Sequence, residues 1–164
     1  MKLRALAHGG LALLIVAAIA ACDAPAAERP LATPSAEQFE LEVYPVLLRD
    51  CGFPACHGSS ERFFQVFGPG RERLDSDASP FDPPSVAELE LSFGRARSML
   101  SARGQPWREA RLLRRPLDAA AGGSGHRGED PWGQNIYLSK EDPGYQTLQR
   151  WARSMVDAEA EETR

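Results

Sequence analysis

The 164-residue sequence predicts a mainly α-helical domain with long loops and little or no β-structure. Apolar residues recur at steps of three and four in three separate stretches, each opened by a helix-capping residue. Between them the chain is rich in the punctuating residues, with 14 Gly and 13 Pro, which interrupt helices and mark turns. Strand signals are few: only Asn135 to Leu138 reads as a short extended piece.

Met1 to Ala21 reads as a signal peptide, with Lys2 and Arg4 as its basic start and an uncharged apolar run from Leu11. That run is too short for a stable transmembrane helix. It ends Ile19-Ala20-Ala21-Cys22, which resembles the bacterial lipobox, in which cleavage leaves the cysteine as a lipid-bearing N-terminus. The alternative is an ordinary secretory signal, with Cys22 a plain residue. Residues 22–34 are rich in Ala and Pro and form a tether. The resemblance implies a cell-envelope protein, anchored on the periplasmic side of a bacterial membrane or at the outer membrane, with the acyl chains of Cys22 as its membrane contact.

The helical domain spans 35–157. Ser35 and Gln38 make a capping box, and Phe39, Val43, Val46 and Leu47 follow on one face, with Pro45 placed to kink the helix. The helix leads into Cys51-Gly-Phe-Pro-Ala-Cys56-His57-Gly58. Phe63, Phe64 and Phe67 then form an aromatic cluster, read first as core and second as a cofactor wall. Residues 70–84 are loop. Ser85 and Glu88 cap a second helix with Val86, Leu89, Phe93, Ala96 and Leu100 as its apolar stripe and Gly104 as its stop. Its other face, Glu88, Glu90, Arg95 and Arg97, reads as solvated.

Residues 110–117 suggest a helical turn stopped by Pro116, and 119–132 a glycine-rich loop around His126. Asp142 and Pro143 open the last helix, with Tyr145, Leu148, Trp151, Ala152 and Met155 along one side and a charged, fraying tail over 158–164.

Removing Lys2 and Arg4 with the leader leaves 17 basic against 23 acidic residues, a net of −6, which argues against a nucleic-acid partner. No nucleophile elbow, H-E-x-x-H or phosphate-cradling loop is present, so no enzyme activity is expected. Of three cysteines, lipidation of Cys22 leaves Cys51 and Cys56 as one pair in an oxidising compartment. They are either a disulfide or modified. A zinc site from Cys51, Cys56, His57 and His126 is a third reading, disfavoured because adjacent Cys56 and His57 seldom both reach one tetrahedral ion.

The Cys51–Cys56–His57 run resembles the haem-attachment motif of c-type cytochromes, with C-x4-C-H in place of the usual C-x-x-C-H. Phe39, Val43, Pro45, Val46 and Leu47 ahead of it are similar to the start of divergent haem domains in planctomycete and myxobacterial secreted proteins. So are Leu112-Leu113-Arg114-Arg115-Pro116-Leu117, His126 between Gly125 and Gly128, and Tyr145, Leu148 and Trp151 after it. The resemblance implies a small cytochrome-c-like domain carrying one haem c on Cys51 and Cys56, with His57 as iron ligand. It further implies a monomeric electron-transfer role and a redox protein partner. No Met-Pro ligand loop is present, so the sixth position falls to His126, with Met99 or Met155 as alternatives. The competing reading is a haem-free envelope lipoprotein, pinned by a Cys51–Cys56 disulfide and serving as a binding or structural module.

Overall fold

The computed structural model describes residues 33–100, 106–126 and 135–162. The signal peptide, Cys22, the tether up to residue 32, Gly104, Gly128 and Trp132 lie outside the described residues. The fold is mainly helical, and the one β-like feature among the described residues is a parallel bridge between Leu117 and Tyr137.

The first rod comprises α1 (Ala36–Gln38), a π-helical turn (Phe39–Val43) and α2 (Tyr44–Asp50). Ser35 caps it, its side chain accepting from the Gln38 amide at 3.1 Å. The π-turn answers Pro45. Proline has no amide hydrogen and its ring collides with the carbonyl four residues back, so a straight α-helix is costly there. One wider turn, in which the Tyr44 amide donates to the Phe39 carbonyl five residues back, carries the chain past it. Phe39, Val43 and Leu47 remain on a single buried face, whereas Val46 is only half-buried.

α3 (Val86–Leu100) starts with a complete capping box: the Glu88 amide donates to Ser85 Oγ at 3.2 Å and the Ser85 amide to Glu88 Oε2 at 2.9 Å. Its buried stripe is Glu88, Ser92, Ala96 and Leu100, rotated from the one expected. Val86 is 71% exposed and Leu89 and Phe93 are half-buried, while Glu88, expected on the solvated face, is buried. The reason is a tertiary partner. Arg73, in the loop before α3, binds Glu88 through Nε (2.8 Å) and Nη2 (3.0 Å), and the Leu74 amide adds a third donor at 3.0 Å. Arg95 is likewise half-buried, donating to Gln65 at 2.8 Å.

Next come a 3-10 turn (Trp107–Glu109), α4 (Arg111–Arg114), a second 3-10 turn (Ala119–Ala121) and α5 (Pro143–Glu162). Asp142 caps α5 by accepting from the Gly144 amide at 2.9 Å. The helix continues to Glu162. Tyr145, Leu148, Trp151 and Ala152 are buried along one side. Trp151 meets Phe39 at 5.2 Å and Phe93 at 6.0 Å between ring centroids, and its Nε1 donates to the Ser35 carbonyl at 2.8 Å. Three helices thus share one aromatic junction, and an indole donor is satisfied within it.

Candidate functional site

The segment after α2 closes tightly on itself. The Cys56 and Gly58 amides both donate to the Phe53 carbonyl, at 2.8 and 2.9 Å, and the His57 amide donates to the Cys51 carbonyl at 2.9 Å. A Cβ on Gly58 would overlap the Gly52 carbonyl, so only glycine lets the loop close here. From outside, Arg71 Nε donates to the Leu48 carbonyl at 2.9 Å while its guanidinium lies 4.1 Å from the centroid of the Phe53 ring. The loop is thereby fastened both to α2 and to the strap carrying Arg73.

His57 is held at three points. Its amide is bonded as above, its carbonyl accepts from the Val66 amide at 2.8 Å, and its ring Nδ1 lies 2.6 Å from the Phe64 carbonyl. A carbonyl only accepts, so Nδ1 carries the hydrogen and the neutral ring presents Nε2 as a lone pair. This is the arrangement by which proteins orient a metal-binding imidazole. Burial lowers the His57 pKa below the ordinary histidine value, opposed by the Phe64 carbonyl and aided by His126 and Arg62 nearby. The imidazole is therefore neutral at neutral pH.

His57 faces a cavity of about 350 Å³, within the range of small-molecule and cofactor sites. Cys51, Cys56, His126 and Met99 line it as well. The His57 and His126 rings are 5.8 Å apart between centroids. The remaining walls are mostly apolar: Phe64, Leu112, Pro116, Ile136 and Leu148. The aromatic cluster accordingly splits by role. Phe67 is core, Phe64 is cavity wall with its ring 4.7 Å from that of His57, and Phe63 is 76% exposed.

Two backbone bonds fix the segment just ahead of His126. The Gly123 amide donates to the Asp118 carbonyl at 2.9 Å and the Ser124 amide to the Arg114 carbonyl at 2.8 Å. A Cβ on Gly123 would overlap the Leu117 carbonyl, so the glycine here permits close approach of two backbones.

Met155 packs against the core and is not among the cavity-lining residues. Leu148 reaches the cavity from the same helix, and Met155, seven residues further along, lies about 10 Å beyond it. Of the two alternative ligands, Met99 lines the cavity and Met155 does not. Cys51 and Cys56 are both free thiols. Burial, with the charges of Asp50 and Cys56, pushes the Cys51 thiol up to about 12, so it stays protonated at neutral pH. Among the described residues, no three His, Cys, Asp or Glu side chains gather into a metal-binding group.

Phe64 as hydrogen-bond acceptor, Ile136, and Arg111 and Arg115 were not singled out as site residues from sequence. The arginines alone left a signal, a four-residue spacing around Leu112-Leu113. No protein-family model, curated protein or solved structure matches the chain.

Proposed function

We propose that the chain is a c-type-cytochrome-like electron-transfer protein, tethered in the cell envelope through lipidated Cys22. One haem would be held by Cys51, Cys56 and His57, with His126 as a second iron ligand. The observation that carries this reading is the content of one cavity. Two free thiols, an imidazole with its Nδ1 hydrogen committed to the Phe64 carbonyl, and a second imidazole 5.8 Å away line it with apolar walls. That donor set fits the group: the two thiols suit thioether attachment and the two imidazoles suit iron ligation.

When bound, haem supplies a one-electron iron couple. The thiols of Cys51 and Cys56, both in the cavity lining, would hold it covalently as thioethers. His57 presents Nε2, and its hydrogen bond to Phe64 prevents the ring from turning. Phe64, Leu112, Pro116, Ile136 and Leu148 would keep water from a group bound in the cavity. Paired imidazole ligation would favour a lower potential than histidine with methionine. No residue is assigned a catalytic role.

The test is a visible absorption spectrum with a haem stain on a denaturing gel, using protein expressed in a host with cytochrome maturation genes. A reducible haem spectrum that survives denaturation supports the reading. A colourless protein with Cys51 and Cys56 joined overturns it in favour of the haem-free envelope module.

A further inference from the structure

The cavity walls are mostly apolar, yet two guanidinium groups belong to its lining. Arg111 opens α4 and Arg115 follows its last residue; at a spacing of four they share one face of the turn, while Leu112 and Leu113 between them are buried. Both arginines line the cavity and both are exposed, which places them at its rim. Arg115 Nη1 donates to the Gly125 carbonyl at 3.3 Å, holding it beside His126. The neighbouring cations are engaged elsewhere: Arg114 pairs with Glu109 at 2.6 Å and Arg108 lies over the Trp107 ring at 4.3 Å.

Among the described residues that line the cavity there is no Asp or Glu. In a chain of net charge −4, an apolar recess whose rim carries two cations concentrates anions locally. Guanidinium groups pair with carboxylates through charge-assisted, often bidentate hydrogen bonds. An apolar body between such groups describes a ligand that is greasy at its centre and acidic at its edge.

We propose that Arg111 and Arg115 form a two-point clamp for the two carboxylates of a planar apolar ligand. The inference rests on the haem reading, in which those carboxylates are the propionates. Haemin and haemin dimethyl ester, which differ only in those groups, are titrated separately into the cofactor-free full chain and followed by their visible absorption. The free acid is expected to bind about fivefold to tenfold more tightly than the diester, the scale of two exposed charged pairs. The double variant Arg111→Gln/Arg115→Gln is expected to remove that difference by weakening the free acid alone. Its far-UV circular dichroism should be unchanged, since both side chains are exposed. Equal binding of the two ligands by the wild-type chain, or equal weakening of both in the variant, overturns the clamp and leaves the haem reading standing. Uptake of neither ligand overturns both.

Discussion

Glu88→Gln is the substitution that most directly tests how the cysteine loop is supported. The carboxylate accepts four hydrogen bonds, two on each oxygen: Arg73 Nε and the Leu74 amide on Oε1, Arg73 Nη2 and the Ser85 amide on Oε2. Glutamine replaces one oxygen with a donor, so whichever way its amide is turned, one backbone N–H loses its acceptor. An orphaned buried backbone donor costs about 1–3 kcal/mol, and the bonds on the remaining oxygen lose their charge assistance. The sum expected from the backbone contacts is about 2 kcal/mol, which for a domain of this size lowers Tm by about 6–10 °C. Denaturant and thermal unfolding measure it directly. The comparison also has a pH signature. Arg73 holds the Glu88 carboxyl down to about 2, against an ordinary 4.5. A carboxyl whose folded pKa is depressed contributes stability that is full above the unfolded value and is lost as pH falls through the folded one. The gap between wild type and variant should therefore shrink between about pH 4.5 and 2. A variant as stable as wild type at pH 7, or a gap that stays constant down to pH 2, would refute the burial and pairing assigned to Glu88.

Three further outcomes follow, those that concern haem being conditional on the proposed electron-transfer reading. Gly58→Ala forces a Cβ against the Gly52 carbonyl; covalent haem per chain on a stained gel should fall severalfold, and wild-type loading would sink the assigned loop closure. His126→Leu should change the haem absorption spectrum and raise the midpoint potential, while Met99→Leu leaves both near wild type; the reverse pattern would transfer the sixth position to Met99. In the cofactor-free chain, the lowered pKa of His57 means its stability contribution is present above about 6.5 and is lost as pH falls through the folded value. His57→Phe should flatten that acid limb in urea midpoints measured from pH 8 to 5, and an unchanged slope would contradict a buried neutral imidazole.

The elements readable from sequence were those specified by neighbours along the chain. Ser35, the Ser85–Glu88 box and Asp142 announce helix starts because each cap satisfies amides two or three residues away. Pro45 announced a break, and the π-turn is its local resolution. The stripe of α5 was legible because Tyr145, Leu148, Trp151 and Ala152 all face one continuous core. The stripe of α3 was not: periodicity assigned Val86 inward and Glu88 outward, and the loop carrying Arg73 reverses both. A charged residue is buried where its partner is, and a partner fifteen residues upstream in an irregular loop leaves no period to detect.

The same division runs through the site. Cys51, Cys56 and His57 are adjacent in sequence, so their residue types and spacing alone define a donor set. Sequence also marked His126 as unusual, a histidine among glycines. That His126 stands 5.8 Å from His57, that Met99 but not Met155 shares their cavity, and that Arg111 and Arg115 edge it were decided only by the tertiary structure. Composition and local spacing act over one or two helical turns, where backbone geometry alone brings side chains together. Donors separated by 69 residues meet because the core packs α2 and α4 each against α5, and that placement comes from burial of apolar faces, which has no signature at the donors themselves.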